Sequence, residues 1–176
     1  MAARPVTDRP GEGRRRGDGP RCPFCDIVRG AAFGRIVHED ADSVAFLPLR
    51  PATDGHVLVV PRRHLRDLWD LDDTTAAALS RSVLTVARAV RAAFRPDGLN
   101  LVNSAGAAAT QTVMHLHVHV VPRFEGDRVG SFWPRSGSPG RPEAAPSPRE
   151  WEPGVLDRTA ERIRRAAPGG VRDAHG

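Results

Sequence analysis

Three histidines occupy alternate positions in Met114-His115-Leu116-His117-Val118-His119-Val120-Val121, a run that is otherwise apolar. Such alternation is the pattern of a half-buried β-strand, in which residues two apart share a face. It predicts Leu116, Val118 and Val120 toward the core and three imidazoles on the other side, about 6 to 7 Å apart along the strand. Neighbouring imidazoles repel one another when protonated. A row of them must therefore stay largely neutral, share protons, or bind something anionic or metallic. A neutral imidazole is both a nucleophile toward phosphorus and a metal ligand, and these are the chemistries that the spacing allows.

The chain has two cysteines, Cys22 and Cys25, in Cys22-Pro-Phe-Cys25. Two residues of separation suit redox work or metal binding better than a structural disulfide in a reducing compartment. A redox motif of this type needs a preceding strand, and here the preceding residues are an Arg/Gly-rich tail, which disfavours it. A metal site needs two more ligands. With no second cysteine pair in the chain, histidines must supply them.

The elements that must position these groups can be read from texture. Residues 1–20 are Arg, Gly, Pro and Asp with almost no apolar content, and read as a disordered tail. Phe24, Ile27 and Val28 suggest a short helical turn stopped by Gly30. Two strands are expected near Arg35–His38 and Ser43–Leu47, and a third at Val57–Val60, closed by Pro61. Asp72–Phe94 is the clearest helix, with Leu79, Val83, Val86, Val90 and Phe94 at steps of three and four and capping oxygens at Asp72 to Thr74. Leu99–Val102 and Val113–Val121 are further strands, separated by a Gly/Ala/Ser/Thr/Asn loop. Residues 134–148 have linker composition, and Trp151–Ala166 is expected to form a last amphipathic helix through Val155, Leu156 and Ile163. The connections are too short for parallel crossovers, which makes the class α+β with an antiparallel sheet, one long helix and a short N-terminal helix. The domain would run from 21 to 133, with linker and helix over 134–176.

Composition narrows the function classes. All 26 basic residues are arginine, the formal charge is +5 and the pI is near 10.9. The bias toward Arg, Ala, Gly and Pro has the look of a GC-rich genome, so arginine number says less than usual about partners. Basic residues are interspersed with 21 acidic ones and form no aromatic-interleaved patch, so no specific nucleic-acid partner is expected, while small phosphorylated substrates fit. Neither a membrane span nor a secretory signal is visible, and a cytoplasmic location is expected.

His115-Leu-His117-Val-His119-Val-Val121 resembles the His-φ-His-φ-His-φ-φ signature of the histidine triad (HIT) superfamily of nucleotide hydrolases and transferases. Cys22-Pro-Phe-Cys-Asp-Ile-Val28, Ala45-Phe46, Pro51, Gly55-His56-Val-Leu-Val-Val-Pro61-Arg-Arg-His64, Asn103 and Gln111-Thr112 fall in family order. The resemblance covers about Arg21 to Trp133. It implies a HIT-like fold, usually a homodimer, acting on dinucleoside polyphosphates, nucleoside phosphoramidates or related nucleotides. His117 would attack the α-phosphorus to form a covalent nucleotidyl-histidine, assisted by His119 and positioned by His56. Asn103, Gln111 and Thr112 would bind substrate. Where the family carries this cysteine pair, structural zinc is held by residues matching Cys22, Cys25, His64 and His115. Two other functions share the motif: a nucleotide-binding regulator without turnover, and a phosphorylase or nucleotidyltransferase using phosphate or a sugar phosphate as acceptor.

In two places the sequence departs from this pattern. The family usually has an acidic residue two positions after the Phe of the Ala-Phe strand, gripping the ribose hydroxyls, and here that position is Pro48. Its side chain cannot accept those bonds. Phe24, Ile27, Phe46 and Leu49 could line an apolar slot for a base, or serve as core. A second departure is the extension after Trp133, which could cover the site or be inert.

Overall fold

The computed structural model describes residues 22–127, 129 and 151–167. The tail expected at 1–20 and the linker expected at 134–148 lie outside them. The architecture is α+β. Helix α1 (Pro23–Val28) is followed by strands β1 (Ile36–Glu39), β2 (Ser43–Phe46) and β3 (Val57–Pro61). Helix α2 (Asp73–Phe94), strands β4 (Gly98–Val102) and β5 (Val118–Arg123), and helix α3 (Pro153–Ala166) complete the chain. The five strands form one antiparallel sheet in the order β1-β2-β3-β5-β4.

The central strands β2 and β3 are buried at every position, because both faces of the sheet are covered. On one face Ala45, Val57, Val59 and Val120 meet Val83, Val86 and Val90 of α2 and Leu156, Ala160 and Ile163 of α3. On the other, Val44, Phe46, Leu58 and Val60 form a smaller cluster under Phe24, Ile27 and Val28 of α1. Strand β4 lies at the sheet edge, with Leu99 and Leu101 exposed. Among the described residues no helix is long and apolar enough to cross a membrane.

Local chemistry sets the ends of the elements. Asp72 caps α2, its carboxylate accepting from the Thr75 amide at 2.8 Å. The helix stops at Arg95, which takes a left-handed conformation (φ 49°) just before Pro96, so a non-glycine residue supplies the terminating turn. In the loop before β3, Gly55 has φ +80°, and a Cβ there would lie 2.9 Å from a Phe94 ring carbon. Both facts require glycine.

The histidine strand differs from its expected span. Pairing begins at Val118 rather than Val113 and runs past Val121 through Pro122 to Arg123. Residues 113–117 are held by other bonds. The His115 amide turns back to the Val113 carbonyl at 2.9 Å, and the Leu116 amide donates to the Leu65 carbonyl at 2.7 Å. Alternation still holds across the junction, with Leu116 and Val120 fully buried in the main core and Val118 packed against it. The last helix starts at Pro153 instead of Trp151, a proline being favoured in a first turn that needs no amide donor. Its buried residues are Leu156, Thr159, Ala160 and Ile163, with Val155 at the margin.

Helix α3 is thus part of the core and not an appendage. Ile163→Ala should lower unfolding free energy by about 2 to 4 kcal/mol in urea titrations. A loss under about 0.5 kcal/mol, the range of surface substitutions, would show that the helix does not pack there.

Candidate functional site

Two clusters share the segment 115–119, and they begin with α1. Cys22 is the N-cap of this helix, its Sγ accepting from the Cys25 amide at 3.5 Å, so the helix start places both thiols on one side. His64 follows the end of β3, and His115 precedes β5. Cys22 Sγ lies 3.4 Å from His115 Nδ1, Cys25 Sγ lies 3.3 Å from His64 Nδ1 and 3.5 Å from His115 Nδ1. All four ligand atoms are within 4.8 Å of one another. Tetrahedral bonds of about 2.3 Å to sulfur and 2.05 Å to nitrogen would separate S and N by about 3.6 Å, so the spacing suits one central ion.

The chemistry of the donors agrees. His115 is fully buried, and its Nε2 lies 2.9 Å from the Pro61 carbonyl. A carbonyl only accepts, so Nε2 carries the proton and Nδ1 turns its lone pair to the sulfurs. Burial, then the bond and charge of Cys22, push the Cys25 thiol up to about 11. Two thiolates in this place require a cation. Cys22, Cys25, His64 and His115 could hold a metal ion with no coordination position left open.

The second cluster contains His117, His119 and His56. His117 Nδ1 is 2.7 Å from the carbonyl of His115, so Nδ1 is the protonated nitrogen and Nε2 bears the lone pair. The ring is packed edge-on against Phe24 (centroids 5.3 Å apart) and against His119 (5.0 Å). His117 is only 5% exposed. Its Nε2 makes no hydrogen bond among the described residues and is not fully buried.

Protons in the adjoining pair run in one direction. The Ala52 amide donates to His56 Nδ1 at 3.0 Å, so the proton of a neutral His56 sits on Nε2. That nitrogen is 2.9 Å from His119 Nδ1, which must accept, leaving His119 with its N–H at Nε2. Both rings are held neutral. Burial, then the neighbouring His119, lowers His56 to about 3, and burial, then His117, lowers His119 to about 4.

The three residues expected to meet substrate, Asn103, Gln111 and Thr112, have unlike surroundings. Asn103 Nδ2 donates to the His117 carbonyl at 2.8 Å, while its Oδ1 is buried without a partner. Gln111 is buried, with both amide protons given to the carbonyls of Arg66 (2.7 Å) and Val113 (3.0 Å) and its oxygen taken by the Gly106 amide (2.7 Å). It braces the loop before the triad. Thr112 is exposed. Of the apolar slot, Phe24 and Phe46 pack together at 5.3 Å with Ile27 beside them, whereas Leu49 is 79% exposed and outside the group. Sequence reasoning missed the backbone partners, namely Ala52 N–H and the Pro61 and His115 carbonyls, since a backbone group has no residue-type signature.

Residues 30–126 match the HIT domain family. The chain belongs to it. The family holds nucleotide-binding proteins and nucleotide hydrolases. Among similar HIT proteins, Protein hit of Bacillus subtilis is 37% identical over 123 residues, which span 69% of this chain and 85% of its own length. A protein of Sulfolobus tokodaii described as a hypothetical histidine triad nucleotide-binding protein superposes with a TM-score of 0.68 at 32% identity, over 82% of this chain and 91% of that one. A zinc-bound histidine triad family protein of Mycobacterium smegmatis gives a TM-score of 0.64 at 34% identity, again over 82% and 91%.

The two neutral imidazoles set a pH dependence. Both pKa values lie below the unfolded value of about 6.5, so the unfolded chain takes up protons that the native HIT fold refuses. Stability should be unaffected by this pair above about pH 6.5 and fall as pH drops toward 4. Imidazole NMR titration should find His56 and His119 still neutral at pH 5. A midpoint near 6.5 for either ring would contradict the site as described.

Proposed function

We propose that this HIT protein cleaves or transfers a nucleoside monophosphate through a covalent intermediate on His117. The bond from His117 Nδ1–H to the His115 carbonyl carries the reading, because it leaves Nε2 unprotonated with its lone pair available. Nε2 attacks the α-phosphorus of a dinucleoside polyphosphate, phosphoramidate or related nucleotide. An N–P bond forms as the bond to the leaving group breaks, and the leaving group departs with the electron pair. Positive charge arising on His117 is shared with the His115 carbonyl through Nδ1–H. Water or another acceptor then attacks phosphorus and releases its proton to solvent, as the N–P bond breaks and its electron pair returns to His117 Nε2.

His119 supports both steps. Its Nε2–H is the free end of the directed proton chain from Ala52 through His56, and it donates to a phosphoryl oxygen as charge shifts in the transition state. Because His119 is neutral rather than cationic, it does not oppose the charge developing on His117. Asn103, tied to the His117 carbonyl, keeps the strand entry in place, and its unpartnered Oδ1 is an acceptor available to a substrate hydroxyl. With Pro48 in the usual acidic position, ribose binding must draw on such a group.

Zinc is the ion we assign to Cys22, Cys25, His64 and His115, in keeping with two thiolates, two imidazoles and a closed tetrahedron. It would supply charge neutralisation and a cross-link between α1, the end of β3 and the start of the triad.

Brief mixing with a panel of nucleotides followed by intact mass spectrometry should reveal a nucleotidyl adduct. His117→Ala should abolish the adduct and lower turnover by roughly three orders of magnitude or more. Retained turnover in that variant would reject the mechanism, and wild-type binding without product would favour a regulator. Added phosphate that yields nucleoside diphosphate would identify the acceptor as phosphate. For the metal, protein purified without chelator should carry about one zinc per chain. Cys22→Ser should lose most of it and melt about 5 °C or more lower. Metal content far below one in the wild type would overturn the assignment.

A further inference from the structure

The Pro51–Ala52 peptide is gripped at both ends. Its N–H donates to His56 Nδ1 at 3.0 Å, and its carbonyl accepts from the Trp151 indole Nε1–H at 3.0 Å. Trp151 is 100 residues away in sequence, outside the matched family region, half-buried against the main core just before α3. One planar group thus joins the C-terminal segment to the histidine pair.

The orientation of that plane decides the direction of every proton beyond it. In the observed orientation N–H faces His56, which sets the order Ala52 N–H to His56 Nδ1, His56 Nε2–H to His119 Nδ1, and leaves an N–H on His119 Nε2. Were the plane flipped, its carbonyl would face His56. His56 Nδ1 would have to be protonated, His56 Nε2 would accept from His119 Nδ1–H, and His119 Nε2 would present a lone pair to the phosphoryl oxygen. Donation would become repulsion.

The neighbouring bonds do not by themselves forbid the flip. Thr53 Oγ1 donates to the Pro122 carbonyl at 2.7 Å and the His56 amide donates to the Thr53 carbonyl at 3.2 Å, which fixes the loop beyond the plane. The Phe94 ring, against Gly55 and under Arg162 of α3, fixes the backbone next to His56. The Pro51 carbonyl itself is met by Trp151. An indole N–H donates and cannot accept, so it stabilises the carbonyl-outward plane alone. By polarising the peptide it also strengthens the N–H on the other side.

We infer that Trp151 is a positioning residue for the triad, holding the Pro51–Ala52 peptide in the orientation that makes His119 a donor at Nε2. The tautomer part of this inference stands on the hydrogen bonds; its effect on turnover rests on the nucleotidyl-transfer reading above.

Trp151→Phe keeps an aromatic ring and removes the donor. In full-length protein labelled with 15N at histidine, the wild type should show pyridine-type Nδ1 and pyrrole-type Nε2 on both His56 and His119. In Trp151→Phe these signals should move toward a mixture of tautomers. Turnover of whichever nucleotide the wild type cleaves should fall about fivefold, the weight of one hydrogen bond, with KM within about twofold. In a His56→Ala background the same substitution should cause no further loss. Wild-type nitrogen shifts in Trp151→Phe, or an undiminished loss in the His56→Ala background, would overturn the inference. A wild type that neither turns over nor forms an adduct would instead refute the catalytic reading, leaving the nitrogen shifts to decide the positioning role. Should the Phe variant not fold, 5-fluorotryptophan incorporation makes the indole N–H more acidic with the ring retained. The Ala52 amide proton should then move downfield, and an unmoved signal would overturn the inference.

Discussion

The hydrogen bond from His117 Nδ1 to the carbonyl of His115 spans two residues of one chain, and it needs a carbonyl that no neighbouring strand has claimed. That condition is met because β5 starts only at Val118, while the residues before it are held by the carbonyls of Leu65 and Val113 and by Asn103. Had the strand paired from Val113 onward, ladder bonds would compete for the carbonyl groups that now orient the His117 ring. The irregular entry to the strand is thus a requirement of the site. Gln111, bonded to Arg66, Val113 and Gly106, ties that entry to the loops on either side.

From this bond the three imidazoles acquire different properties, although they are the same residue on one short segment. His115 donates from Nε2 to the Pro61 carbonyl and turns a lone pair toward the cysteines; His117 donates from Nδ1 to the His115 carbonyl and keeps its lone pair on Nε2; His119 accepts from His56 at Nδ1 and keeps its N–H at Nε2. In each case the partner of one nitrogen determines what the other can do. The two-sided sheet makes this possible. Helices α2 and α3 fill one face, so the opposite face can carry a small cluster with Phe24 against His117 and the cysteine helix alongside.

Much of the fold was legible in the sequence because it rests on periodicity and capping. The step pattern of α2, the apolar run of β3 and the antiparallel class all appear as expected. The four cysteine and histidine side chains also converge as the resemblance implied. What escaped detection was of another physical kind. The last strand runs past its expected end at Val121 and takes in Pro122, since a proline is accommodated where its missing amide is not needed. Arg95 ends α2 in a conformation usually given to glycine. The Ala52 amide and the Pro51 carbonyl belong to no side chain, and the residue that meets that carbonyl lies far along the chain. Contacts of this sort are made by tertiary proximity, on which local pattern is silent.

Gly55 carries a consequence of its own. A single missing Cβ lets the Phe94 ring lie flat on the backbone one residue before His56, with the Arg162 guanidinium stacked above the ring at 4.4 Å. The aromatic ring therefore sits between the outer helix and the backbone that leads into His56. Enlarging or shrinking the ring would be felt by that backbone, so the permitted variation at residues 55, 94 and 162 is coupled.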